Sequence, residues 1–149
     1  MNLRAYAELA RLSNTPTVVT NVMVGAAAAA AVTGGSLSWP RTAVTAVACV
    51  LLYVAGMALN DVLDREIDAR ERPHRPIPSS RVTLAGAHAF VVACIVIALG
   101  ALLMLSPAAL FAGLALVAAI VAYDLVHART PWSVLLMGAC RALVPVAAA

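Results

Sequence analysis

The chain has 149 residues, of which 63% are hydrophobic and only 11% are charged, and its mean hydropathy is +0.94. Soluble domains carry about a quarter charged residues, so this composition excludes an ordinary water-soluble domain and indicates a membrane protein. The net charge of +3 comes from arginine alone and is not spread over one basic face, which argues against a nucleic-acid partner.

Five apolar runs follow an amphipathic N-terminal segment. Residues 1–15 place apolar side chains at helical spacing around Arg4, Glu8 and Arg11, which predicts a short helix on the membrane surface. The runs cover about 16–33, 42–60, 82–105, 107–126 and 133–149. The first four runs are close to or above the roughly 20 residues that are needed to cross a bilayer, and the fifth run is shorter. We therefore expect an all-α, polytopic transmembrane helical bundle with four full spans and a truncated fifth.

Arginine is distributed unevenly between the two predicted membrane faces. One face carries Arg4, Arg11, Arg65, Arg70, Arg72, Arg75, Arg81 and Arg129. The other face carries Arg41 alone. The positive-inside rule makes the crowded face cytoplasmic, so we expect a cytoplasmic N-terminus. The expected location is the cytoplasmic membrane, taken to be that of a bacterium.

One polar island, residues 60–81, interrupts the apolar runs. It holds most of the acidic residues: Asp61, Asp64, Glu66, Asp68 and Glu71. If the second apolar helix continues past Asn60, the three aspartates fall within about 60° of arc on one helix face. Like charges placed so close together repel one another and favour a neutralising cation. Oxygen ligands without cysteine or a suitably placed histidine favour Mg²⁺ before Ca²⁺.

Phosphate is the partner that such a magnesium site predicts, because protein-bound Mg²⁺ commonly shares its ligands with substrate phosphates. Arg72 and Arg75, with Arg65 and Arg81 as further candidates, can bind phosphate oxygens bidentately. The competing interpretation is a solvated cytoplasmic loop whose arginines and aspartates pair with each other and anchor the topology.

The island resembles the first aspartate-rich motif of the UbiA superfamily of membrane prenyltransferases. The matching residues are Asn60-Asp61-x-x-Asp64-x-x-x-Asp68, followed by Glu71-Arg72-Pro73-x-Arg75-Pro76-Ile77-Pro78-Ser79. Agreement is closest to the branch with a compact ERPxRPIPS tail. Ser80 stands where the family usually has glycine.

Weaker similarities to the same family run in the right order along the chain. The segment 11–14, with Asn21 and Gly25 after it, is similar to the family's opening. Tyr123 fits a family tyrosine, although the lysine expected shortly after it is missing and only His127 and Arg129 are nearby. Gly138-Ala139-Cys140-Arg141-Ala142-Leu143 resembles a G-x-x-R-G-L element.

The same similarities add Asn21, Tyr123 and Arg141 to the expected substrate-binding residues. Arg141 is also a candidate on physical grounds, because a charge inside an apolar run is costly and often functional. The alternative for Arg141 is an arginine near a helix end that extends its head group to the membrane interface.

The resemblance implies a Mg²⁺-dependent transferase. Its partners would be a polyprenyl diphosphate and a lipophilic or aromatic acceptor, held in a cavity within the membrane lipid. Asp61, Asp64 and Asp68 would be the catalytic metal ligands, with Asn60 orienting them. Arg72 and Arg75 would clamp the diphosphate.

Only one of the family's two aspartate-rich motifs is present. The family folds as about nine helices in two pseudo-repeats, whereas the sole acidic residue after Glu71 is Asp124. We therefore expect residues 1–149 to form the N-terminal half of such a domain and to be inactive alone. Two alternatives remain. A CDP-alcohol phosphotransferase would need glycine where Arg65 stands, and a non-catalytic small membrane subunit or transporter half would use the charged loop to dock a partner.

Overall fold

The computed structural model describes residues 2–126 and 133–148, and these ranges form helices and connecting turns without a strand. The helices are α1 (Leu3–Leu9), α2 (Thr15–Thr33), α3 (Trp39–Leu63), α4 (Arg65–Glu71), α5 (Leu84–Leu105), α6 (Pro107–Val126) and α7 (Ser133–Ala148). A 3-10 turn, Leu12–Asn14, joins α1 to α2. The all-α prediction is confirmed. His127 and Arg129, both named above, lie outside the described residues.

Four helical segments are long and apolar enough to cross a membrane, as the hydropathy of the sequence predicted. They are Leu12–Thr33, Trp39–Leu63, Leu84–Leu105 and Pro107–Val126. The fifth apolar helix, α7, has 16 residues. At 1.5 Å per residue it is about 24 Å long, which is less than the roughly 30 Å of a bilayer's hydrocarbon core.

Proline and glycine fix several helix ends. Pro16 and Pro40 lie in the first turns of α2 and α3, where a missing backbone N–H costs little. Gly34 adopts a φ of 66° and ends α2. At the start of α5 the Thr83 hydroxyl accepts a hydrogen bond from a backbone N–H of the first turn. These local signals place the turns close to where the sequence predicts them.

The centre of the bundle is α3, which packs against α2, α5 and α6. Half of its span is buried, against 17–22% for the other three spans. Ala48, Leu52 and Ala58 on α3 are fully buried, and the two alanines let neighbouring helices approach closely. The outer helices expose large apolar side chains such as Phe111, as expected for surfaces that face lipid.

Helices α2 and α7 make a close contact at Gly25. A Cβ atom at this position would overlap the backbone of Pro145, so the contact requires glycine. Pro145 lies inside α7, a position that a membrane helix tolerates when its neighbours pack against it. The pair sets how closely α2 and α7 approach each other.

The N-terminal helix α1 is packed on protein. Its residues Ala5 and Leu9 are fully buried in a cluster with side chains of α3 and α5. The Tyr6 ring meets Phe90 edge to face, with 5.3 Å between ring centroids. Ala5 and Leu9 are therefore packed on the bundle, whereas Leu3, at the start of α1, is 71% exposed.

Candidate functional site

The acidic residues of the island lie where α3 passes into α4. Asp64 is the single residue between the two helices, with φ −84° and ψ 4°. Helical hydrogen bonding nevertheless continues through it. The Asp64 N–H donates to the Asn60 carbonyl at 2.9 Å, and the Asp68 N–H donates to the Asp64 carbonyl at 2.8 Å. Because the turn is nearly preserved, Asp61 and Asp68 lie on the same side of the chain, as their spacing predicted.

One guanidinium joins the two buried aspartates. Asp61 is 5% exposed and Asp68 is 2% exposed. Nη1 of Arg75 donates to Asp61 Oδ1 at 3.1 Å and to Asp68 Oδ2 at 2.6 Å. Arg75 therefore lies between the carboxylates and ties the following loop to the end of α3 and to α4.

Two further arginines contact the same two carboxylates. Nη2 of Arg11 donates to Asp61 Oδ1 at 2.9 Å, and Nη1 of Arg72 lies 3.7 Å from Asp68 Oδ1. Buried carboxylates are costly unless a cation pairs with them. In the described conformation arginine supplies that cation. The clustering of the carboxylates, taken by itself, therefore does not require a metal ion.

Arg11 is a site residue that the sequence reasoning missed. Its backbone is left-handed, with φ 45° and ψ 51°, a conformation that costs a non-glycine residue free energy. The Tyr53 hydroxyl donates to the Arg11 carbonyl at 3.4 Å, and the buried Leu9 fixes the preceding helix. The sequence offered two signals, an arginine placed shortly before the first apolar span and the similarity of segment 11–14 to the family's opening.

The loop after Arg75 is folded against the protein. Pro76 is fully buried, and the Ser79 hydroxyl donates to the Arg75 carbonyl at 2.6 Å. Ser80 has a φ of 59°, a left-handed conformation that suits glycine, the residue usual at this position in the family that the island resembles. The pairing of arginine with aspartate that the competing interpretation predicted is present, although Pro76 is buried and not solvated.

Arg81 binds the N-terminal helix. Its guanidinium donates to both carboxylate oxygens of Glu8, at 2.7 and 3.1 Å, and to the His74 carbonyl at 2.6 Å. The hydrogen bonds from Arg81 to Glu8 hold the pKa of the Glu8 carboxyl below its ordinary value. Arg65, which was also a candidate for binding phosphate, pairs with Glu66 on the exposed side of α4. Both arginines thus have partners away from the buried aspartates.

Asn60 connects the island to α6. Its side-chain amide donates to Asp124 Oδ1 at 3.5 Å, and Asp124 is 5% exposed near the end of α6. Asp124 was not among the site residues predicted from the sequence. The sequence did contain a signal for it, because a lone carboxylate at the end of an apolar run needs a polar partner when it is buried.

The other predicted substrate-binding residues lie on three different helices. Asn21 is partly buried in α2, Tyr123 is partly buried in α6 beside Asp124, and Arg141 is exposed in α7. Direct ion pairs join four of the predicted residues, namely Asp61, Asp68, Arg72 and Arg75.

The donor set of the island fits a hard cation, although the described conformation uses arginine in its place. Among the described residues, no three histidine, cysteine, aspartate or glutamate side chains converge in an arrangement that could hold a metal ion. Each carboxylate has about four lone-pair directions, and carboxylate oxygens are the ligands that Mg²⁺ prefers. The assignment of Asp61, Asp64 and Asp68 as metal ligands therefore stays a prediction from the sequence.

Comparisons with known proteins agree with this architecture. The UbiA prenyltransferase family matches residues 21–149. A digeranylgeranylglyceryl phosphate synthase of Methanopyrus kandleri is 40% identical over 99 residues, which cover 66% of this chain and 34% of the relative. A synthase of the same name from Natronomonas pharaonis is 36% identical over 130 residues, which cover 87% of this chain and 45% of the relative. The chain thus spans about a third to a half of these relatives' length.

A solved structure has the same arrangement of helices. It comes from work on the biosynthesis of digeranylgeranylglyceryl phosphate synthase in membranes, and it aligns with a TM-score of 0.88 over 99% of this chain and 52% of that chain. The aligned residues are 21% identical, so this likeness concerns the fold. The apolar spans and the family match make this an integral, multi-pass membrane protein. With the aspartate-rich island and the match over residues 21–149, the chain belongs to the UbiA prenyltransferase family.

Proposed function

We propose that the chain forms one wall of a Mg²⁺-dependent prenyltransferase site, which transfers an isoprenyl group from a polyprenyl diphosphate to a lipophilic acceptor. The observation that carries this proposal is the pair of buried carboxylates, Asp61 and Asp68, held among arginines at the end of an apolar helical bundle. Ionised groups inside membrane bundles are costly, and they are usually retained for function.

The carboxylates would hold the metal and the arginines would hold the phosphate. When bound at Asp61, Asp64 and Asp68, Mg²⁺ supplies charge neutralisation for the leaving diphosphate. The Arg72 side chain is 53% exposed and its contact with Asp68 is long at 3.7 Å, so it can turn toward a phosphate at little cost. Asn60, fixed by its hydrogen bond to Asp124, orients the end of α3.

The apolar helices would protect the reactive carbon. An allylic cation formed when the diphosphate leaves must be kept from water, and a lipid-facing bundle provides such surroundings. Asn21, Tyr123 and Arg141 are polar side chains on otherwise apolar helices, and we assign them contacts with substrate. The cytoplasmic face remains the proposed side of the membrane. The named relatives are archaeal, so they do not support a bacterial source.

The names of the relatives suggest the substrate class. Both are digeranylgeranylglyceryl phosphate synthases. We infer that the complete protein transfers a geranylgeranyl group and that its acceptor carries a glyceryl phosphate.

Residues 1–149 would not complete the site alone. The chain covers 34–52% of the relatives and of the solved structure compared above. Beyond the island the only acidic residue is Asp124, which already binds Asn60. The second set of metal ligands would therefore come from further helices, such as a C-terminal half. Prenyl transfer by the isolated 149-residue chain, lost on Asp64→Asn, would contradict this part of the proposal.

A metal titration tests the proposed site. The 149-residue chain in phosphatidylcholine nanodiscs is titrated with Mn²⁺ in the presence of geranylgeranyl diphosphate, and bound Mn²⁺ is measured by electron paramagnetic resonance. We expect saturable binding that Asp61→Asn and Asp64→Asn each weaken by on the order of tenfold or more. Glu66→Gln is the matched control, because the Glu66 carboxylate is 78% exposed.

The same titration separates the proposed site from a docking loop. Metal binding that is equal in all variants would favour a non-catalytic membrane subunit whose charged loop binds a partner protein. The burial of Asp61 and Asp68 speaks against that alternative, since a docking surface presents its charges to solvent. The family match likewise disfavours a CDP-alcohol phosphotransferase.

A further inference from the structure

The contacts of Arg75 differ from those of a fixed phosphate clamp. The same nitrogen, Nη1, lies 3.1 Å from Asp61 and 2.6 Å from Asp68, and the side chain is only 19% exposed. Nη1 of Arg75 therefore has no N–H left to donate to a phosphate. Its charge instead neutralises Asp61 and Asp68, two of the three carboxylates that the proposed function assigns to the metal.

We propose that Arg75 is an exchangeable counter-ion, a positioning residue that holds Asp61 and Asp68 until metal and diphosphate enter together. The inference rests on the proposed function, since it concerns the same carboxylates. A cation that bound both aspartates would approach their oxygens to about 2.0–2.1 Å, which leaves no room between them for Nη1. The guanidinium and the metal therefore exclude each other from this position.

Arg75 is the arginine whose departure would free both carboxylates. Arg11 contacts Asp61 only, and its backbone is held by the Tyr53 hydroxyl. Arg72 contacts Asp68 only, at 3.7 Å. In the described part of the chain, Arg75 is the one arginine that contacts both Asp61 and Asp68.

A side-chain rotation is sufficient for the exchange. The backbone around Arg75 is fixed, because Pro76 is fully buried and the Ser79 hydroxyl donates to the Arg75 carbonyl at 2.6 Å. A guanidinium that leaves two carboxylates needs another anionic partner, and a diphosphate offers oxygens for bidentate hydrogen bonds. Diphosphate should therefore promote metal binding at Asp61 and Asp68, and metal should promote diphosphate binding by the same factor.

The experiment measures Mn²⁺ binding to the full 149-residue chain in phosphatidylcholine nanodiscs, with and without inorganic pyrophosphate. The variants are Arg75→Gln and Arg75→Lys, and the control is Arg70→Gln. Arg70 lies on the exposed side of α4 and has no ion pair in the described residues. The control therefore removes one nearby positive charge without touching the carboxylate pair.

The decisive result is whether Arg75→Gln raises or lowers the affinity for Mn²⁺ in the absence of pyrophosphate. We expect Arg75→Gln to bind Mn²⁺ on the order of tenfold or more tightly than wild type, because a competing charge is gone. Arg75→Lys and Arg70→Gln should stay within about threefold of wild type, since lysine keeps the charge and the Arg70 charge is exposed to solvent, which screens it. Pyrophosphate should raise Mn²⁺ affinity more in wild type than in Arg75→Gln.

Two outcomes would overturn the inference in different ways. Unchanged or weaker Mn²⁺ binding by Arg75→Gln without pyrophosphate contradicts the exchange while leaving the metal and diphosphate site in place. Failure of wild type to bind Mn²⁺ even with pyrophosphate contradicts the proposed function and the exchange together.

A measurement on the wild-type chain covers the case in which Arg75→Gln does not fold. The side-chain N–H signal of Arg75 in ¹⁵N NMR spectra, assigned by comparison with Arg75→Lys, should move when Mg²⁺ and pyrophosphate are added together. A signal that does not move contradicts the exchange.

Discussion

Removal of the Asp68 carboxylate should destabilise the protein strongly in the absence of metal. Asp68 is 2% exposed and accepts the 2.6 Å hydrogen bond from Arg75, so Asp68→Asn leaves a guanidinium short of one partner. Loss of one member of a buried ion pair costs about 3–5 kcal/mol. Arg75 keeps its 3.1 Å contact with Asp61 and is 19% exposed, so we expect a loss near the lower limit, about 3 kcal/mol.

The assay is reversible unfolding in mixed micelles, followed by circular dichroism, with chelator present. Glu66→Gln is the control, because its ion pair with Arg65 is exposed and should contribute less than about 0.5 kcal/mol. The double variant Asp68→Asn with Arg75→Gln should be less destabilised than the sum of the two single changes, by about 1 kcal/mol or more. Additive effects, or an Asp68→Asn chain as stable as the control, would refute the reasoning.

Three further predictions concern the packing and the loop. Ser80→Gly should raise the free energy of unfolding by about 0.5 kcal/mol, because it relieves a φ of 59° at some cost in backbone entropy; a lower unfolding midpoint would contradict this. Gly25→Ala should lower the free energy of unfolding by about 1–3 kcal/mol, because the new Cβ overlaps the backbone of α7. Gly138→Ala is the control, because a Cβ there meets open space and should not destabilise the protein. Equal unfolding midpoints for the two variants would contradict this. Arg81 lowers the pKa of Glu8, so the stabilisation that this ion pair gives α1 should be complete above the ordinary glutamate pKa and should disappear as the pH falls below about 4. Hydrogen exchange of the α1 amides measures this, and an exchange protection that stays constant across that pH range would contradict the ion pair.

The spans and the shared side of the aspartates could be predicted from the sequence because both depend on local periodicity. Apolar runs and flanking prolines fix where α2 and α3 begin. Asp61 and Asp68 lie on the same side, as their helical spacing predicts, because helical hydrogen bonds continue through Asp64. The left-handed Ser80 was also signalled, since it occupies a position where the family usually has glycine.

The neutralisation of the aspartates could not be predicted because it depends on contacts between distant parts of the chain. Arg11 and Asp61 are 50 residues apart, and Asn60 and Asp124 are 64 residues apart. The position of Arg11 depends on α1 being buried against α3 and α5, whereas amphipathic spacing is equally compatible with a helix on a membrane surface. A charge cluster shows that compensation is needed, but it does not show whether a metal or an arginine provides it.

The most direct test is whether a metal ion bound at the island contacts a diphosphate. Mn²⁺ bound to the chain in the presence of pyrophosphate is examined by electron–nuclear double resonance for hyperfine coupling to ³¹P. We expect a protein-bound Mn²⁺ signal with ³¹P coupling that is lost in Asp61→Asn and retained in Glu66→Gln. A bound Mn²⁺ without ³¹P coupling, or coupling that survives Asp61→Asn, would contradict a metal and diphosphate site at these aspartates.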